Sequence, residues 1–199
     1  MNCPFCDYNN EIKNRVLKET DHFYLFPALG AFIPGYLMIA TKEHHLNIST
    51  LPPEWSVELT DLEKTAVSFL KETYHSPIFE YEHGPCGTDN DRGGGCINHC
   101  HLGLVATDLD LLDKITIQLG APKETNSFKG LMELSLQDSS YLLYKKDNKL
   151  YYWERPLILS QYIRRLLTEE SREDFNWRTN PYPDNIAKNI ARWQAWTKK

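Results

Sequence analysis

The stretch Gly93 to Thr107, GGGCINHCHLGLVAT, sets two histidines one residue apart at the head of an apolar run, directly after three glycines and a cysteine. On a strand, alternate side chains share a face. The run therefore predicts His99 and His101 side by side, with Cys100 and Leu102 turned the other way. Two imidazoles so placed suit a metal, a phosphate or a nucleophile. Gly93, Gly94 and Gly95 ahead of them lack a Cβ, so their backbone N–H groups can approach an anion closely.

The rest of the chain supplies a sheet around this strand. RVLKETDHFYLFPA reads as two short strands about Thr20-Asp21, GYLMIAT as a third, and IFEYEHG as a fourth, followed by the loop PCGTDNDRGGG. SSYLLYKKDNKLYYWE has strand residues on both sides of Asp147-Asn148, as a hairpin does. Between Pro52-Pro53 and Tyr74, residues Trp55, Leu59, Leu62, Ala66 and Phe69 recur at helical spacing. DLDLLDKITIQL, PLILSQYIRRLLTEE and NIAKNIARWQAW are further predicted helices. Short hairpin links point to an α+β fold, an antiparallel sheet with packed helices, rather than a doubly wound parallel one.

Composition removes several function classes. With 199 residues, 41% hydrophobic and 25% charged, the chain has enough apolar mass for a real core. A net charge of −5 argues against an extended nucleic-acid partner. No window approaches the roughly 18 apolar residues a spanning helix needs, so no membrane partner is expected. The start MNCPFC lacks the pattern of an export signal, and a cytoplasmic protein is the expectation. Five cysteines in that setting read as metal ligands or buried thiols rather than a disulfide framework.

Cys3-Pro4-Phe5-Cys6 has the spacing at which two thiolates grip one tetrahedral ion, and Zn²⁺ then needs two more ligands. His44, His45 and His99 are the candidates. A redox pair or plain buried thiols remain open at this point.

HCHLGLV, IPGYLMIATKEHH and CPFC, taken together and in this order, resemble the histidine triad (HIT) family of nucleotide hydrolases and transferases, in its zinc-binding branch. The resemblance runs from about Cys3 to Thr107. It implies a HIT-like domain over residues 1–113, carrying the N-terminal zinc pair, and a C-terminal extension of a hairpin and helices over 114–199 packed on it. It also implies structural Zn²⁺ on Cys3, Cys6, His44 and His99, with His45 as the substitute for His44. His101 takes the place of the family's nucleophile, which attacks an α-phosphate to give a covalent nucleotidyl-histidine. The implied partner is a small nucleotide conjugate of dinucleoside polyphosphate, phosphoramidate or nucleotide-sugar type. A homodimer, as in minimal family members, stays open.

Two departures accompany the match. The third triad position holds Gly103, which either leaves space for part of the substrate or weakens activity. Near Ala28, where better-known branches carry an aspartate for the ribose hydroxyls, no acid stands. Candidate phosphate-binding residues are Gly94, Gly95, Cys96 and Gly103, joined by Arg164 and Arg178 of the aromatic-rich extension, since arginine can hold phosphate bidentately. The alternatives are a catalytically inactive, zinc-stapled nucleotide-binding protein, and a zinc hydrolase using His99 and His101 with Glu80, Glu82 or His83.

Overall fold

The computed structural model describes residues 3–7, 12–86, 97–136, 139–171 and 176–199. Strands β1 (Lys18–Glu19), β2 (Phe23–Pro27), β3 (Tyr36–Thr41), β4 (Ile78–Gly84) and β5 (His101–Ala106) come first in the chain. β6 (Lys123–Thr125), β7 (Tyr141–Lys146) and β8 (Lys149–Glu154) follow. Together they form one sheet in the order β1-β2-β3-β5-β4-β7-β8-β6, and every neighbouring pair is antiparallel. Helices α1 (Ser56–Tyr74), α2 (Leu112–Leu119), α3 (Phe128–Leu134), α4 (Tyr162–Ser171) and α5 (Pro183–Trp196) complete the α+β fold. None of the described helices is long and apolar enough to cross a membrane.

Alternation along the strands divides the core in two. Leu102, Leu104, Leu37, Ile39 and Leu143 pack on one face against Leu59, Leu62, Ala66 and Phe69 of α1, with Leu131 of α3 and Trp193 of α5. Val105, Tyr36, Tyr81, Leu142 and Trp153 pack on the other, under Ile115 of α2 and Ile163, Leu166 and Leu167 of α4. The histidine strand lies in the middle of the sheet, between β3 and β4. β7 joins β4 directly, so residues beyond 114 extend the same sheet.

The Asp147-Asn148 hairpin forms where the sequence places it. Both residues have left-handed backbone, φ 49 and 64, which is the twist a two-residue turn needs and which Asp and Asn tolerate. Two expectations shift. The helix read from Pro156 begins only at Tyr162, because Gln161 has φ 62 and Leu157 and Leu159 ahead of it are exposed. The strand read through His99 begins only at His101. His99 sits in a bend where its N–H bonds the Ile97 carbonyl at 2.9 Å, while the next amide, of Cys100, bonds His45 O at 2.6 Å.

The face away from His101 holds a buried ion triad. Lys145 Nζ lies 2.8 Å from Glu63 Oε1 and 2.6 Å from Glu80 Oε1, and all three residues are buried. Burial, with Glu63 beside it, pushes Glu80 up to about 8 against the opposing pull of Lys145. Removing the cation strands two carboxyl groups in the interior. Lys145→Met is expected to lower stability by about 3 kcal/mol or more, read from the midpoint of urea unfolding. An unchanged midpoint would show that the triad contributes nothing net.

Candidate active site and metal centre

Cys3, Cys6, His44 and His99 come together from three separate places in the sequence, with ligand atoms all within 4.8 Å of one another. Cys3 Sγ is 3.3 Å from His99 Nδ1, Cys6 Sγ is 3.3 Å from His44 Nδ1, and Cys6 Sγ is 3.6 Å from His99 Nδ1. Zinc bonds of about 2.3 Å to sulfur and about 2.0 Å to nitrogen, at tetrahedral angles, put S and N about 3.5 Å apart. The donor set therefore fits a tetrahedral ion. His99 Nε2 lies 2.8 Å from the Thr41 carbonyl, so Nε2 carries the proton and Nδ1 keeps its lone pair for the cluster. Partial burial, then the neighbouring Cys3 thiol, push Cys6 up to about 11. A cation between the sulfurs reverses that penalty. His45 stands outside the cluster, 3.8 Å from Glu43 and edge-on to Trp55.

Phe5, between the two cysteines, connects this cluster to a pocket. Its ring meets His99 edge-on at 5.5 Å and His101 at 5.3 Å, so both imidazoles share a side although His99 precedes the strand. The pocket encloses about 590 Å³ including its open mouth; its walls include Phe5, Tyr81, His83, His101, Gln161 and Arg164. His101 is 8% exposed, and its Nδ1 lies 2.5 Å from the His99 carbonyl. That acceptor fixes the proton on Nδ1 and leaves Nε2 with a lone pair. Burial lowers the His101 pKa below its ordinary 6.5, only partly opposed by the His99 carbonyl, so the ring is neutral at pH 7.

Gly103 has a different reason from either that the sequence suggested. A Cβ there would lie 2.6 Å from Tyr81 Cε1, because Tyr81 is its cross-strand partner and lays its ring over it. The missing side chain makes room for a protein ring, not directly for a ligand. Tyr81 OH in turn bonds Tyr36 OH.

Glu80 and Glu82 point to the opposite sheet face from His101. Glu82 accepts from Ile48 N at 3.0 Å and from Tyr141 OH, and Glu80 pairs with Lys145. Neither carboxylate reaches a metal held by His99 and His101, so the zinc-hydrolase alternative loses both acids. Arg164 lines the pocket, with its guanidinium bonded to the Gly30 carbonyl and lying 5.2 Å over Phe32. Arg178 is exposed and stacks at 4.4 Å on Trp177, a wall residue, without lining the pocket itself. Gly93, Gly94, Gly95 and Cys96 lie outside the described residues. Sequence reading did not place Phe5, Tyr81 or Gln161 in the site. Only Phe5 carried a signal, its position inside the C-x-x-C.

No protein-family model matches the chain, and no curated protein does. The similar solved structures are consistently histidine triad proteins. A HIT family protein from Bacillus anthracis is 20% identical with a TM-score of 0.46, over 55% of this chain and 75% of that one. A hypothetical histidine triad nucleotide-binding protein from Sulfolobus tokodaii is 18% identical with a TM-score of 0.44, over 53% and 68%. A histidine triad protein from Clostridium difficile is 21% identical with a TM-score of 0.39, over 55% and 94%.

The Gly103–Tyr81 contact is testable on its own. Gly103→Ala is expected to destabilise by about 1–3 kcal/mol through overpacking, and Tyr81→Val in the same chain to recover part of that loss. Thermal unfolding of the two variants measures both. A neutral Gly103→Ala would mean that the ring moves aside freely.

Proposed function

We propose that the chain is a nucleotidyl hydrolase or transferase acting on a nucleotide conjugate, with His101 as the nucleophile and Zn²⁺ held structurally by Cys3, Cys6, His44 and His99. The observation that carries this reading is the locked tautomer of His101, a buried neutral imidazole with Nε2 unprotonated in a pocket. In the reaction, Nε2 forms a bond to the α-phosphorus as the bond to the leaving group breaks. Water or another acceptor then attacks the phosphorus, the P–N bond breaks, and His101 returns to its neutral form. The resemblance of HCHLGLV, the lysine-x-histidine and the C-x-x-C to the family supports the same roles. The conjugate is of dinucleoside polyphosphate, phosphoramidate or nucleotide-sugar type, and the setting is cytoplasmic. Residues 1–113 hold the nucleophile and metal cluster, and 114–199 close the pocket with Gln161, Arg164 and Trp177.

Cys3, Cys6, His44 and His99 would hold zinc as a closed set of four ligands, so the ion would supply cross-linking rather than act on substrate. Bound there, it would fix the loop that bears Phe5 and so the wall against which His101 rests. The second reading is a zinc-stapled nucleotide-binding protein without turnover. It is favoured by Gly103, which removes the third imidazole and gives its place to Tyr81.

Purified protein is expected to carry about one equivalent of zinc. Cys3→Ser or Cys6→Ser should lower both metal content and melting temperature, whereas His45→Ala should keep the metal. Metal analysis that finds zinc unaffected by Cys3→Ser removes the proposed site.

His101→Asn is expected to abolish turnover of a nucleoside phosphoramidate or dinucleoside polyphosphate, with zinc retained, while His99→Asn loses zinc and stability together. Trapping a nucleotidyl adduct on His101 separates the enzyme from the binding protein. Because the His101 pKa lies below 6.5, its neutral form persists as the pH falls. Turnover should stay level down to about 6.5 and decline only below it. An acid limb centred above that value would assign the nucleophile elsewhere.

A further inference from the structure

The pocket has a polar end that the attack by His101 does not use. Gln161 lines it and is 7% exposed, and its Oε1 has no hydrogen-bond partner among the described residues. Its backbone, at φ 62, lies in the left-handed region that a non-glycine residue enters only at a free-energy cost. A buried, unpartnered acceptor on strained backbone is doubly unfavourable for folding. Both features fall on one residue, and that residue faces the pocket.

His83 is its neighbour on the same wall, 5% exposed. The β4–β5 ladder ends at the Tyr81–Gly103 pair; His83 and His101 each lie two residues beyond it on their strands, and both line the pocket. Nε2 of His83 accepts the Ile163 N–H at 3.5 Å, which puts the ring proton on Nδ1. No described residue bonds that Nδ1–H. Beside His101 the wall thus offers the His83 Nδ1–H donor and the Gln161 carboxamide, with its Oε1 acceptor and its N–H donors, none of them charged. Burial holds His83 near 3, so it stays neutral at any pH where the protein works.

Neither side chain of the pair is cationic, so the pair alone does not hold an anion, although Arg164 lies on the same wall. A hydroxyl fits it, donating to Gln161 and accepting from His83, and adjacent hydroxyls fit it best. Among the described residues the pocket wall has no carboxylate to take that role. We propose that Gln161 and His83 form a subsite for the hydroxyl groups of a sugar, carried either by the nucleoside or by the leaving group. The inference rests on the nucleotidyl-transfer reading and adds to it the residues that select the ligand.

Calorimetric binding with two matched pairs of probes distinguishes the two sources. One pair is the 5′-monophosphates of adenosine, guanosine, cytidine and uridine against their 2′,3′-dideoxy forms. The other is glucose 1-phosphate against cyclohexyl phosphate. Wild-type protein should prefer the hydroxyl-bearing member of one pair by about tenfold or more, and the pair concerned names the source. In Gln161→Gly and in His83→Phe that preference should vanish. Gln161→Gly should also raise the melting temperature, since glycine accepts φ 62 without strain, so lost preference cannot be put down to lost fold. Probes that bind without preference, or a preference that survives both substitutions, overturn the subsite and leave the nucleotide reading standing. Failure of every probe to bind wild-type protein overturns both.

Discussion

Residue 99 ties the cluster of Cys3, Cys6 and His44 to the proposed chemistry of His101. Its imidazole is held from one side by the Thr41 carbonyl at 2.8 Å and meets the two cysteine sulfurs on the other, at 3.3 and 3.6 Å. Its own carbonyl receives the proton of His101 Nδ1. One residue therefore joins the cluster with its side chain and sets the tautomer of His101, the proposed nucleophile, with its backbone. The alternation of a strand alone does not provide this. It needs the bend at His99, which turns the carbonyl toward the next imidazole two residues on.

Phe5 completes the link, for its ring abuts both histidines at 5.5 and 5.3 Å. The C-x-x-C loop is anchored by Phe5, buried with Ile12, Phe26 and Ala40, and its two cysteines meet His44 and His99. Under the proposed reading this couples folding to chemistry: loss of the cluster would loosen the Phe5 wall on which His101 rests. The sheet has independent support from the ion triad and the α1 core on its far face.

Much of the fold was legible because it is written in local patterns. The Asp147-Asn148 turn, the α1 periodicity and the strands flanking the histidines each depend on residues close in sequence. So did the cluster, whose C-x-x-C and lysine-x-histidine are compact motifs; their meeting with His99 was implied by resemblance. β6 and α3 were not legible. β6 has three residues, mostly exposed, and α3 has seven with Gly130 inside, too few for a period to show. Gly103 was read as either space for substrate or a loss of activity because its neighbour, Tyr81, arrives from another strand and only register reveals it. Glu80, Glu82 and His83 looked equivalent in IFEYEHG. The pleat sends the first two to the ion-pair face and the third to the pocket.

That division of β4 explains how one strand serves two incompatible environments. On one face, Glu80 and Glu82 are buried with donors that hold them, Lys145 for the first and Tyr141 and Ile48 for the second. On the other, Tyr81 meets His83 edge-on and both line the pocket with His101, the proposed nucleophile. A carboxylate on the pocket face would repel an incoming phosphate and raise the pKa of His101, drawing it toward the cationic, non-nucleophilic form. The chain instead meets the pocket with aromatic rings, two imidazoles, a carboxamide and the guanidinium of Arg164. Under the proposed reading, the choice of sugar beside the phosphorus rests on hydrogen bonding to buried groups, where an unmatched polar group is costly.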